Sequence, residues 1–147
     1  MQLASSKSQA SRPPSAGRRI EPMLEGFRSS GGLVSGDALA AMLRGCLDQP
    51  ISTLARRIVG RELVHVCWRS QILVPLFQFD RCDMSLRHGV RDVIETLAPA
   101  HDDWDIATWF AEPSVWLRDR RPADVIDRDP AAVMEAARAD WFVATAP

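Results

Sequence analysis

The segment His101-Asp102-Asp103-Trp104-Asp105 sets one imidazole beside three carboxylates within five residues. Paired carboxylates can hold a divalent ion or move protons. Acidic residues ahead of an apolar helical stretch are also what N-capping and the helix dipole select, and that reading wins here by a wide margin. His65, Cys67, Cys82 and His88 could join His101 in a metal site. They offer no Cys-x2-Cys or His-x3-His spacing, and structural zinc usually clips nearby ligand pairs. Neither a nucleophile with an adjacent base, nor a phosphate loop, nor a dinucleotide fingerprint occurs. The pattern argues against an enzyme and calls for no metal and no cofactor.

Arginine supplies almost all of the positive charge: Lys7 is the only lysine among 18 basic residues, and the formal net charge is -1. That balance disfavours binding to nucleic acid or anionic lipid by bulk charge. Its distribution is uneven, with five basic and ten acidic residues over 97–147. Three widely spaced cysteines read as reduced thiols in a cytoplasmic protein rather than a disulfide framework. The longest apolar run, Ile72-Leu73-Val74-Pro75-Leu76-Phe77, is far too short to cross a membrane.

The length of 147 residues and the 46% hydrophobic content fit a domain with a sizeable core. Composition divides the chain into a disordered basic tail over 1–30, a helix pair with a β-hairpin over 31–84, and a helical part over 85–147. Order is expected to begin near Met23. Ser35 can cap a helix whose stripe is Leu39, Met42 and Leu43. A second helix follows from Ile51, with Leu54 and Ile58 buried and Gly60 placed to end it. Dense Val, Ile, Phe and Trp then predict strands near 63–68 and 72–79, with Pro75 marking the second as an edge or a bulge. Alternation there puts Phe77 and Phe79 in the core and Gln78 opposite.

The helical period returns from Ser85, with a stripe of Leu86, Val90, Ile94 and Leu97. Asp102 or Asp103 caps the next helix, which Pro113 interrupts. Pro122 opens a short helix, and Asp129-Pro130 starts a last one carrying Val133, Ala137 and Trp141 on one side. Trp141 and Phe142 must be anchored in the core or in a partner, and core is the default. The fold class is therefore mainly α with one small β-hairpin.

The order helix, helix, hairpin over residues 35–80 is that of a small winged helix. Such a unit would place Arg56, Arg57 and Arg61 on phosphates with Arg69 at the hairpin tip. A structural subdomain with a solvated arginine face fits the neutral charge better.

From Trp104 onward the chain resembles the toxin-binding domain of Xre/MbcA/ParS-type antitoxins. That pattern runs W-x-x-x-P-x-x-x-L, a glycine-containing turn, then P-x-[DE]-[LV]-[LIV] and a final helix. Trp109, Pro113, Leu117, Pro122, Asp124, Val125 and Ile126 occupy those places, and Gln78-Phe79-Asp80 matches a subgroup with a degenerate helix-turn-helix. The resemblance covers about residues 33–142 and is strongest over 104–138. The turn glycine is replaced here by Arg118-Asp119-Arg120-Arg121. The resemblance implies an antitoxin that blocks the cleft of a RES-type, NAD-consuming toxin with its C-terminal helix region. It also implies promoter DNA and a second copy of the chain as further partners. Carried onto this chain, Arg138, Asp140, Trp141 and Phe142 are candidates to enter or cover such a cleft, flanked by Arg120 and Arg121.

Overall fold

The computed structural model describes residues 18–147. The first helix, α1 (Ile20–Phe27), precedes a 3-10 turn at Arg28–Ser30 and strand β1 (Leu33–Ser35). Helices α2 (Gly36–Leu43) and α3 (Pro50–Val59) lead into strands β2 (Val66–Trp68) and β3 (Gln71–Pro75). After a 3-10 turn at Leu76–Gln78 come α4 (Val90–Leu97) and α5 (Asp103–Ala111), then a 3-10 turn at Val115–Leu117, α6 (Pro122–Val125) and α7 (Pro130–Thr145). The described chain is mostly helical, with one small antiparallel sheet.

The expected tail extends too far. Residues 1–17 lie outside the described residues, but α1 packs Ile20, Met23 and Phe27 into the core. Their spacing of three and four puts them on one helical face. Phe27 stacks on Phe77 with ring centroids 5.6 Å apart, and Phe77 meets Phe110 at 4.7 Å. Gly26 lets α1 approach α5, because a Cβ there would sit 2.8 Å from that of Ala111.

The expected hairpin is two strands of a three-stranded sheet ordered β1-β3-β2. Strand β3 is therefore central, against the expectation of an edge. Pro75 is tolerated because it is the last residue of the strand, opposite Leu33, and the following amide of Leu76 donates to Gly32 O at 3.0 Å. Arg69 and Ser70 form the two-residue hairpin turn, both with positive φ. The two faces of β3 serve two clusters: Leu73 leans on one and Val74 is buried in the other.

The smaller cluster holds Leu39, Leu43, Leu54, Leu63, Val74, Leu76, Phe79 and Met84. Met42, expected in that stripe, is exposed; Ala40 is buried instead. The larger cluster joins α1, Val64, Val66 and Phe77 to the helices from α4 to α7. Chain from before residue 31 and from the sheet thus shares the core of the C-terminal helices.

The strand alternation over 72–79 fails at Leu76, where the 3-10 turn begins. Gln78 is consequently buried rather than outward-facing. Its carboxamide accepts from Val64 N at 2.7 Å and donates to Val64 O and Pro75 O, each at 2.9 Å. A buried amide so satisfied acts as a strand substitute, closing backbone groups that the short sheet leaves open. Helix α4 starts at Val90, later than Ser85, and Leu86 instead bridges to Phe79.

Candidate protein-binding surface

Helix α7 begins as its sequence demands: Asp129 Oδ1 accepts from Ala132 N at 3.0 Å, and Pro130 takes the first turn. Val133, Ala136 and Ala137 are buried, packed with α4. Helix α4 ends at Leu97, near Pro99, whereas α7 continues to Thr145. The last turns of α7 therefore run past the packed part of the core. Trp141 is 38%, Phe142 68% and Val143 64% exposed. The default expectation that these aromatics are core is overturned, because their partner helix stops too soon. Beside them lies an open groove of about 630 Å³ lined by Thr96, Pro99, Met134, Arg138, Trp141 and Phe142.

Asp140, a candidate to enter a partner's cleft, is engaged within the chain. Trp109 Nε1–H donates to its Oδ2 at 2.6 Å, and Trp116 Nε1–H donates to its Oδ1 at 2.8 Å. The carboxylate thus pins two indoles from separate segments against α7. Trp116 is nonetheless 52% exposed. Nothing in the spacing of residues 109, 116 and 140 signals this clamp.

The remaining candidates divide between structure and surface. Arg138 is exposed and pairs with Glu135 at 3.0 Å, one turn back on α7. Arg121 Nε donates to Ala111 O at 2.9 Å, closing the end of α5, and Arg120 Nε donates to Leu117 O at 3.0 Å. Both flank the aromatic clamp in sequence, but part of each guanidinium is committed to backbone. Leu117 and Pro122 are buried, Trp109 is half-buried and Pro113 is exposed. Asp124 accepts from Ser29 Oγ at 2.8 Å, tying α6 to the turn after α1.

Arg118 and Asp119 replace the turn glycine, and both adopt positive φ, 58° and 62°. Left-handed backbone is where glycine has no Cβ penalty, so both side chains here carry a conformational cost that a glycine would not. The amide of Asp119 donates to Ser114 O at 2.8 Å and that of Ser114 to Arg120 O at 3.0 Å, which hold the turn despite the strain.

The arginines that a winged-helix reading would place on phosphate differ in their surroundings. Arg56 and Arg57 project from α3 with no ion pair among the described residues. Arg61 donates twice to Asp103 Oδ1, at 3.1 and 2.9 Å, and so is already neutralised. Arg69 sits over the Trp68 ring, 5.3 Å from its centroid. His65 is buried, with Nε2 3.6 Å from Asp103 Oδ2 and no hydrogen-bond partner for Nδ1 among the described residues.

The acidic segment at 101–105 is a helix start. Asp102 Oδ1 accepts from Asp105 N at 2.8 Å and Asp105 Oδ2 from Asp102 N at 3.2 Å, a reciprocal capping box. Arg18 bridges both carboxylates, at 2.7 and 3.3 Å, and lies over Trp104. Burial acts to raise the Asp102 pKa, but the Asp105 amide and the Arg18 guanidinium outweigh it and leave the carboxyl below its ordinary range. No group of three His, Cys, Asp or Glu among the described residues is arranged to hold a metal, and no described helix is long and apolar enough to cross a membrane.

Comparison of the chain with protein-family models, with curated proteins and with solved structures found no significant match in any of the three.

Proposed function

We propose that this protein is antitoxin-like: it binds a RES-type, NAD-consuming toxin and neutralises it by covering the toxin's active-site cleft with the end of α7. In this reading α4 to α7 form the toxin-binding part, and α2, α3 and the sheet form a degenerate, winged-helix-like part. The observation that carries it is the run Trp141-Phe142-Val143, left exposed where α7 outruns α4. Consecutive large apolar side chains at a helix end are costly in water, and each contributes roughly 1.5–3 kcal/mol when fully covered. Aromatic anchors of this kind dominate the energetics of protein interfaces. Occlusion needs no catalytic group from this chain, so the reading requires neither metal nor cofactor.

Co-expression tests it. A RES-like toxin encoded in the flanking reading frame should lose its toxicity when this protein is present, and the two should copurify. Persistent toxicity together with failure to copurify rules the antitoxin out.

A second reading, binding to promoter DNA, is favoured by one observation, that Arg56 and Arg57 on α3 form no ion pair among the described residues. It expects salt-sensitive binding to the protein's own upstream DNA that weakens when both are replaced by alanine.

A further inference from the structure

The clamp around Asp140 encloses a second feature, on the α5 side of α7. A notch of about 200 Å³ is lined by Trp109, Glu112, Pro113, Val115, Trp116 and Asp140. Two indoles and two carboxylates meet there. The carboxylate of Asp140 is held by two N–H donors that carry no net charge, so its negative charge stays uncompensated. Glu112 is exposed, and neither acid forms an ion pair among the described residues. The nearest basic residue along α7, Arg138, is paired with Glu135.

An acidic, indole-lined hollow with no cation of its own matches one class of ligand. Aromatic faces attract cations, most strongly when the ring is an indole, and a carboxylate at the floor adds a directed acceptor. Each Asp140 oxygen accepts one N–H, which leaves further lone pairs for a donor. A metal ion is a poor match, because both Asp140 oxygens already accept an indole N–H and the notch then offers too few free oxygens for a hard cation. The volume lies below the roughly 300 Å³ at which small-molecule sites begin. It suits a single long side chain.

We propose that this notch receives an arginine side chain of the partner protein, next to the aromatic end of α7 and as a second anchor for the same contact. Arginine is favoured over lysine because a planar guanidinium can stack on an indole while forking to a carboxylate. That the cation belongs to a protein partner rests on the binding function proposed above; that the notch takes a guanidinium does not. The pinning of Trp116 by Asp140 makes the receptor rigid before binding, so little side-chain freedom is lost on contact. Trp109 and Trp116 thereby act as wall and Asp140 as floor.

The full chain alone suffices to test the notch. Titration with n-butylguanidinium chloride, followed through the indole N–H resonances, should move the signals of Trp109 and Trp116 saturably, while sodium chloride at equal ionic strength should not. Glu112→Gln, on an exposed side chain, should weaken the response roughly three- to fivefold. Trp116→Leu should weaken it further as read on Trp109, with the signals of Trp68 and Trp104 unchanged as the control for folding. n-Butylammonium should bind more weakly than the guanidinium. Shifts no larger than those in sodium chloride, or a response undiminished in both variants, would overturn the proposal. A notch occupied in the free protein at high concentration and vacated on dilution would assign the cation to a second copy of this chain and overturn the partner's arginine. None of these outcomes depends on a toxin. A toxin left active beside a guanidinium-binding notch would therefore sink the antitoxin reading alone.

Discussion

The helix pair and sheet around α3 and the end of α7 are the two regions where the sequence suggests a partner, and they treat their candidate side chains in opposite ways. Around α3 the charged groups divide: Arg61 is neutralised by Asp103 and Arg69 lies on Trp68, while Arg56 and Arg57 form no ion pair among the described residues. At the end of α7 the polar group is satisfied, since Asp140 accepts two indole N–H groups, while the apolar surface around it is left open. A charged side chain in water costs little, so an unpaired arginine is the weaker sign of a binding surface. Exposed adjacent aromatics do cost free energy, and their exposure is the more informative departure.

The largest expected effect tests whether the two regions fold together at all. Gln78→Leu leaves Val64 N–H, Val64 C=O and Pro75 C=O without partners, at roughly 1–3 kcal/mol each. Urea unfolding should show one transition, weakened by at least about 3 kcal/mol. Two separated transitions, with α4 to α7 unmoved, would show that the regions are independent.

Next in size is the double substitution of Trp141 and Phe142 by alanine. Affinity for the toxin should fall by about 2 kcal/mol or more, on the order of thirtyfold, with folding stability changed by less than about 1 kcal/mol. Unfolding of the variant would return both residues to the core. Arg118→Gly should be stabilising, by up to about 1 kcal/mol in thermal denaturation, because Arg118 occupies a left-handed conformation. A loss of stability would mean that its side chain holds the turn.

Acid should act on the α5 cap. Asp102 has its pKa lowered on folding, so its contribution is present above roughly pH 4 and is lost as pH falls through that value towards the folded pKa. Asp102→Asn keeps a capping side chain but should flatten the dependence of the melting temperature on pH between about 5 and 3. An unchanged slope would assign the acid sensitivity elsewhere. The smallest effect is expected from Arg56→Ala combined with Arg57→Ala: toxin affinity should move by less than about 0.5 kcal/mol. The same pair should reduce the salt slope of any DNA binding by about 2. A large loss of toxin affinity would erase the contrast between the two regions.

Local signals were readable where one residue meets one backbone group. Ser35, Asp102 and Asp129 cap the helices they precede, and Pro130 opens α7, because capping depends on a few consecutive residues. Signals failed where distant segments decide the outcome. Strand β1 is three residues with no alternation to see, and its pairing moved β3 from edge to centre. The period-2 reading of Phe77, Gln78 and Phe79 assumed that the strand continued; once it turns at Leu76, Gln78 faces inward to serve Val64. The tail was drawn too long because the apolar face of α1 is short, and only Phe77 and Phe110 show what it packs against.

Residue order alone was enough to specify helices, caps and a polar break near residues 69–71 between two strands, since each is a matter of short-range pattern. Whether Trp141 and Phe142 are core or surface was set by the relative lengths of α4 and α7, which is a property of packing. So was the fate of Asp140. Its two indole partners lie 31 and 24 residues away in sequence, and only the folded chain brings them to one carboxylate.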